Sequence, residues 1–164
     1  MSEYTAIIVE QKPNYFVITL HRPENKNSLN GLILQELHKA LDEIELDEQS
    51  KALIIQGENG IFCTGMDFRE LIDNQNMNKA SHVNWQQSYM HLLNRFATLP
   101  KITISVVDGQ AIAGGIGFIA ASDLVIASRK STFSLSETLW GLLPAMVLPY
   151  LIRKVGYQVA YRMT

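Results

Sequence analysis

The first part of the chain shows two strand-like runs followed by a helix-like pattern. Apolar and β-branched residues dominate residues 4–11 and 15–22, and the intervening "KPN" favours a turn, so two consecutive strands are predicted. The polar stretch "RPENKNSLN" predicts a loop that ends in a helix cap at Ser28 or Asn30. Four apolar residues then recur at the spacing of one helix face: Leu34, Leu37, Leu41 and Ile44.

The same alternation continues along the chain. Residues 51–57 predict a buried strand, and residues 58–68 predict a loop that runs into a short helix. A second amphipathic helix is marked by Trp85, Tyr89, Leu92 and Phe96. Further strands are expected at 101–109 and 124–128. Strands that alternate with helices predict the α/β fold class.

Composition and charge limit the classes of function that this protein could have. The 164 residues suit one domain, residues 1–164, and a net charge of −2 gives no reason to expect nucleic-acid or membrane binding. The single cysteine, Cys63, excludes an internal disulfide and disfavours a metal site, so no metal is expected. The stretch "MSEYTAIIVEQ" lacks the regions of a signal peptide, and no apolar run reaches the length of a membrane span. A cytoplasmic protein is expected.

A glycine-rich stretch, "DGQAIAGGIGFIAASD" (residues 108–123), follows a predicted strand and suggests a phosphate loop. Gly109 to Gly114 has the spacing of a Walker A loop, but Gly115 stands where that loop needs Lys, and no Ser or Thr follows. Gly115 to Ala120 matches a dinucleotide fingerprint, but the helix would be short and no acidic residue ends the next strand. A simpler alternative is that small residues let a helix pack closely against the sheet.

A third interpretation of this stretch is an oxyanion hole. A turn at Gly109 followed by Gly114 and Gly115 at a helix start leaves free backbone N–H groups at the positive end of a helix dipole. Such groups stabilise a carbonyl oxygen as it becomes an enolate. Glycine lets that carbonyl approach closely, because no Cβ is in the way.

Four stretches together resemble the crotonase (enoyl-CoA hydratase/isomerase) superfamily across essentially the whole chain. They are "ITLHRPENKNSLN", "IFCTGMDF", "GQAIAGGIGFIAASDLVIAS" and "STFSLSETLWGLLPA", in the order and spacing of that family. The resemblance implies a spiral of ββα units with two roughly perpendicular sheets. It also implies substrates that are acyl thioesters of coenzyme A or of a phosphopantetheinyl carrier protein, with no resident cofactor.

The resemblance also implies which residues form the site. The oxyanion donors would be the backbone N–H groups of Met66 and Gly114. Hydratases carry two glutamates, of which one position is Gly117 here and the other is Glu137. The substrate-binding segments contribute Gly65, Asp67, Gly115, Gly117, Arg22 and Lys26, of which Arg22 and Lys26 border the pantetheine. For Asp67 and Asp123 we also expect structural roles, at a helix start and before a strand.

Half of the hydratase carboxylate pair is therefore missing. Glu137 can take the C2 proton that the oxyanion hole acidifies. An apolar environment would raise its pKa, and the expected neighbours are Phe133, Leu135 and Trp140. Assistance from a polar neighbour is an open alternative, for which the candidates are Thr64, Ser136 and His82. Each of these is more simply interpreted as an ordinary loop residue.

A narrower resemblance concerns "FSLSETLWGLLPAMVLPYLIRKVGYQVAYRMT". It is similar to crotonases of bacterial polyketide β-branching cassettes, in which the dehydrating type keeps a glutamate at the position of Glu137. That similarity implies dehydration of 3-hydroxy-3-methylglutaryl on an acyl carrier protein to 3-methylglutaconyl. The alternatives are an enoyl-thioester isomerase or hydratase acting on coenzyme A esters, a degenerate scaffold that binds acyl carrier protein, and a dinucleotide enzyme.

The end of the chain is apolar and predicts helix over residues 146–163. Family members continue with helices that cover the site and build a trimer. We therefore expect a chain truncated at its C-terminus, and a homotrimer for the full-length protein. Residues 74–81 are polar and are expected to form a mobile loop.

Overall fold

The computed structural model describes residues 4–67 and 79–164, with side chains except at 79–84 and at Trp140. The strands are β1 (Ile7–Gln11), β2 (Tyr15–Leu20), β3 (Ala52–Gly57), β4 (Ile61–Cys63), β5 (Ile102–Val107), β6 (Gln110–Ile112), β7 (Leu124–Ala127) and β8 (Thr132–Ser134). The helices are α1 (Gly31–Leu46), α2 (Lys79–Thr98), α3 (Gly114–Ala121), α4 (Leu148–Val155) and α5 (Tyr157–Met163). Short 3-10 turns lie at Pro23–Asn25 and Glu137–Trp140.

Within the described residues the strands form two sheets. The larger has the order β1-β2-β3-β5-β7, in which β1 pairs antiparallel with β2 and all other neighbours are parallel. The smaller has the order β4-β6-β8 and is parallel throughout. The predicted α/β class is therefore confirmed.

The two sheets are built from a repeated ββα unit. β3, β5 and β7 each lie in the larger sheet, and the strand that follows each one, β4, β6 or β8, lies in the smaller sheet. Helices α2 and α3 follow the first two of these pairs. This arrangement agrees with the ββα spiral that the resemblance implied, and it brings the ends of β4, β6 and β8 together.

The amphipathic helices form where the spacing predicts them. Asn30 is the N-cap of α1, and its side-chain oxygen accepts a hydrogen bond from the Ile33 N–H at 3.0 Å. The apolar residues predicted to face the core of α1 and α2 are fully buried, apart from Trp85, which is partly buried: Leu34, Leu37, Leu41, Ile44, Tyr89, Leu92 and Phe96.

Strand β4 lies at Ile61–Cys63, in a stretch for which only a loop was expected, because three residues are too few to show an alternating pattern. Its buried Phe62 and Cys63 nevertheless pack into the core. The short helix expected after this loop lies outside the described residues. Of the expected mobile loop at 74–81, residues 74–78 lie outside the described part of the chain, and helix α2 begins at Lys79.

The predicted C-terminal helical segment forms as α4 and α5. Large apolar side chains lie open to solvent around these helices and in the preceding loop, and Leu139 and Leu143 are 85% and 80% exposed. Among the described residues, no helix combines the length and the apolar character that crossing a bilayer requires.

Candidate active site

The glycine-rich stretch forms the turn and helix start that the oxyanion interpretation needs. Gly109 turns the chain after β5 with φ +95°, and a Cβ there would lie 1.6 Å from the Gly60 carbonyl oxygen. Ala113, at φ 49° and ψ −118°, is the N-cap of α3, and its N–H donates to the Ser134 carbonyl at 2.9 Å. A non-glycine residue at positive φ is strained, and such strain is typical of functional sites. Helix α3 ends at Ala121, as short as predicted.

A second backbone segment meets this helix start. Gly65 has φ +82°, and a Cβ there would lie 3.0 Å from the Gly114 nitrogen and 2.8 Å from the Ala113 Cβ. Only glycine therefore meets both the dihedral and the space requirement at position 65.

The backbone around Met66 leaves its N–H available. The Leu29 N–H donates to the Gly65 carbonyl, and the Asp67 N–H donates to the Leu29 carbonyl, so Met66 lies between two bonded neighbours. Gly114 is the first residue of α3, so its N–H has no intrahelical acceptor. Within the described residues neither N–H has a protein acceptor, and both residues line one cavity of about 120 Å³.

Glu137 lines the same cavity, at the start of the 3-10 turn after β8. Its carboxylate is half-buried, and Oε2 has no hydrogen-bond partner among the described residues. Burial raises the pKa of Glu137 above 4.5, although the backbone amides of Glu137 and Ser136 act in the opposite direction. A carboxylate with a raised pKa and an unpaired oxygen is suited to move a proton.

The apolar wall around Glu137 differs in part from the expected one. The expectation of a raised pKa holds, but Phe133 is 41% exposed and does not line the cavity. Leu135 is buried as expected, and the side chain of Trp140 lies outside the described part. The apolar lining comes mainly from α2 and the loop before α4: Trp85, Tyr89, Leu142, Leu143, Pro144, Met146 and Val147.

Gly117 and Gly115 lie on faces of α3 that are packed against other elements. A Cβ at Gly117 would lie 2.0 Å from the Tyr89 hydroxyl oxygen, and one at Gly115 would lie 2.5 Å from the Cys63 carbonyl oxygen. Both residues are buried. Sequence reasoning placed Tyr89 only in the helix core, whereas its hydroxyl donates a 2.5 Å hydrogen bond to the Gly114 carbonyl.

The loop before α1 forms a polar side of the site. Asp67 accepts hydrogen bonds from Arg22, Asn25 and Ser28, each at 3.1 Å. Burial alone would raise the pKa of Asp67, but these donors outweigh it and lower that pKa. Arg22 also donates to the Ser28 carbonyl, so its guanidinium braces this loop.

Next to this loop lies a second cavity, of about 260 Å³, which shares Met66 with the first. Lys26 and Thr64 line it; Lys26 is exposed, and the Thr64 hydroxyl donates to the Lys26 carbonyl.

Of the other predicted polar residues, Ser136 directly precedes Glu137, and the His82 side chain lies outside the described part. The Asp123 carboxylate accepts from the N–H and hydroxyl of Thr103, which agrees with its expected structural role. The described residues bring no three His, Cys, Asp or Glu side chains together as a metal site would.

Known proteins resemble this chain in both sequence and fold. Bacillaene synthase dehydratase PksH of Bacillus subtilis is 37% identical over 161 residues, which cover 98% of this chain and 61% of that protein. The crystal structure of the B. subtilis PksH protein superposes with a TM-score of 0.89 at 36% identity, over 98% of this chain and 63% of the other. AtuE of Pseudomonas aeruginosa gives a TM-score of 0.92 at 28% identity, over 97% and 62% of the two chains.

The chain thus spans about three fifths of the length of these relatives. The family model for enoyl-CoA hydratase/isomerase matches residues 10–164, which is nearly the whole chain. Sequence and fold agree, and the protein belongs to the enoyl-CoA hydratase/isomerase family.

Proposed function

We propose that this protein removes water from a 3-hydroxyacyl thioester, namely 3-hydroxy-3-methylglutaryl on an acyl carrier protein, and gives 3-methylglutaconyl. The observation that carries the proposal is that Glu137, whose carboxylate has a buried oxygen without a hydrogen-bond partner, lines the same cavity as Met66 and Gly114. The similarity to bacillaene synthase dehydratase supports dehydration, and a polyketide setting, over other reactions of the family.

The reaction begins at the thioester carbonyl. Its oxygen accepts hydrogen bonds from the N–H groups of Met66 and Gly114, which stabilise the negative charge of an enolate. C2 thereby becomes acidic enough for the Glu137 carboxylate to remove its proton. The raised pKa of Glu137 makes this carboxylate a stronger base than an exposed glutamate.

The enolate then expels the hydroxyl group at C3. The electron pair of the broken C2–H bond forms the C2–C3 double bond, and the C3–O bond breaks. Glu137, now a carboxylic acid, gives its proton to the departing hydroxyl and becomes a carboxylate again. Water is therefore the only by-product. One carboxylate is sufficient for both proton transfers.

The second cavity gives the thioester arm a place to bind. It adjoins the oxyanion hole through Met66, and the exposed Lys26 lies beside it, which suits a phosphopantetheine arm and its phosphate. Arg22 acts there through Asp67, by holding the loop in place. The pantetheine belongs to the substrate, so the reaction requires no resident cofactor. We further propose a homotrimer in the cytoplasm, as is usual for the family.

An intact-mass assay on 3-hydroxy-3-methylglutaryl carrier protein tests this proposal. The wild-type protein should remove one water, and Glu137→Gln should abolish the loss. Glu48→Gln, which changes an exposed glutamate away from both cavities, is the matched control and should behave as wild type. An unchanged mass with wild-type protein, or full activity of Glu137→Gln, would refute the proposal.

An enoyl-thioester isomerase is the second candidate, because Glu137 is the only carboxylate among the described residues that line the cavity. Moving a double bond from C3 to C2 needs one group that takes a proton and returns it. This activity would leave the mass unchanged and increase the ultraviolet absorbance of the conjugated thioester. Isomerisation is tested on a 3-enoyl thioester and dehydration on the 3-hydroxy substrate, so a gain in absorbance with the first or a loss of water from the second separates the two candidates.

A further inference from the structure

Tyr89 reaches from helix α2 to the start of helix α3. Its side chain is 1% exposed, and its ring lies 5.4 Å from the Trp85 ring and packs edge-on against Phe118 at 5.9 Å. These contacts fix the ring between the two helices. The hydroxyl group therefore has one defined position, beside the oxyanion hole.

At that position the hydroxyl donates a hydrogen bond to the Gly114 carbonyl. This carbonyl belongs to a residue that lines the cavity and starts helix α3, and the preceding residue, Ala113, has the strained dihedrals φ 49° and ψ −118°. A strained helix start persists only where its surroundings hold it in place. The Tyr89 hydroxyl is one such support.

The same hydroxyl fills the space next to Gly117. A Cβ at position 117 would lie 2.0 Å from its oxygen and 3.0 Å from Leu93 Cδ1, which is far inside van der Waals contact. No side chain can therefore occupy position 117 while Tyr89 stays where it is. The site thus excludes a carboxylate from the position at which hydratases were expected to carry one.

We propose that Tyr89 is a positioning residue of the oxyanion hole: its hydroxyl holds Gly114 so that the N–H points at the thioester oxygen, and it takes the space of a second carboxylate. This inference rests on the proposed function only for the presence of the oxyanion hole. Burial raises the pKa of Tyr89 well above 10, so the hydroxyl remains a neutral donor at every working pH. Among the described residues that line this cavity, Glu137 then supplies the one carboxylate and Tyr89 a fixed hydroxyl.

Unfolding temperatures test the shared space of Tyr89 and Gly117. Gly117→Ala should lower the unfolding temperature by roughly 3 to 10 °C, because it adds a methyl group where there is no room. The loss should be clearly smaller when Gly117→Ala is made in a Tyr89→Phe background, which removes the clashing oxygen. Gly31→Ala, where a Cβ meets nothing within 4 Å, is the control and should show no such coupling. Additive effects of Tyr89→Phe and Gly117→Ala would overturn the inference.

Carbonyl polarisation tests the positioning role without using the dehydration reaction. The probe is butyryl-pantetheine with a ¹³C-labelled thioester carbonyl, a saturated thioester that has no hydroxyl to lose. Its C=O stretch in the infrared should move to lower frequency on binding to wild-type protein, because two N–H groups polarise the bond. In Tyr89→Phe the shift should shrink by about half while the Kd changes less than about threefold.

The outcomes separate the two claims. An equal shift in wild type and in folded Tyr89→Phe would overturn the role of Tyr89 and leave the oxyanion hole intact. The absence of a shift in wild type would overturn the oxyanion hole, and with it the proposed function. Tyr157→Phe, at an exposed tyrosine outside the cavity, is the matched control and should keep the full shift.

Discussion

Replacing Gly65 with alanine tests how the site is assembled. The residue has φ +82°, which costs an L-residue about 1–2 kcal/mol. The new Cβ would lie 2.8 Å from the Ala113 Cβ and 3.0 Å from the Gly114 nitrogen. Overpacking of this kind costs about 1–3 kcal/mol. The free energy of unfolding should therefore fall by about 2–5 kcal/mol in Gly65→Ala.

Gly60→Ala is the matched control for this measurement. Gly60 also has a positive φ, +70°, but a Cβ there meets nothing within 4 Å. The free energy of unfolding of Gly60→Ala should therefore fall only by the cost of the positive φ, about 1–2 kcal/mol. Urea unfolding followed by far-ultraviolet circular dichroism gives both losses, since the midpoint reports stability at constant slope.

Activity completes the comparison. Gly65→Ala pushes on the Gly114 nitrogen and should lose activity beyond what its stability explains, whereas Gly60→Ala should retain it. Equal losses of stability in the two variants would refute the close packing of Gly65 against the start of α3. Wild-type activity in Gly65→Ala would refute the role of that packing in the oxyanion hole.

Three further predictions concern proton binding and helix capping. First, kcat/KM should fall as the pH drops through the pKa of Glu137, and the midpoint in a pH–rate profile should lie above 4.5; a midpoint at or below that value would contradict the burial argument. Second, the pKa of Asp67 in the folded state lies below 3.8, so its stabilising contribution is complete above that pH and is lost as the pH falls through the lowered pKa. The unfolding temperature of Asp67→Asn should therefore fall less than that of wild type as the pH drops through the acid range. Unfolding temperatures that fall equally in both proteins would contradict this prediction. Third, Asn30→Ala removes the acceptor for the Ile33 N–H and should lower the free energy of unfolding by about 1 kcal/mol in urea titrations; an unchanged midpoint would argue against the cap.

The sequence was most informative where one face of a helix meets the core. The stripe from Leu34 to Ile44 and the cap at Asn30 follow local rules, because helical spacing alone decides which side chains are buried. The order of the glycine motifs was similarly informative about the backbone. It placed Gly65 and Gly114 in positions that the fold does bring together.

The sequence was least informative where the decisive contact lies between distant segments. Strand β4 is too short to show a period, and its pairing with β6 involves residues almost 50 positions further along. Tyr89 lies on an ordinary helical stripe, so its hydroxyl contact with Gly114 has no local signal. The available hint was Gly117 inside an otherwise apolar helix, which indicates that another group approaches closely.

Isotope labelling at C2 tests the central claim most directly. The substrate is 3-hydroxy-3-methylglutaryl carrier protein with two deuterium atoms at C2, and the mass of the product is measured by mass spectrometry after reaction. If Glu137 removes a C2 proton, the product loses one deuterium together with the hydroxyl group, and Glu137→Gln gives no product. A product that keeps both deuterium atoms, or a Glu137→Gln variant that forms product at the wild-type rate, would contradict the account.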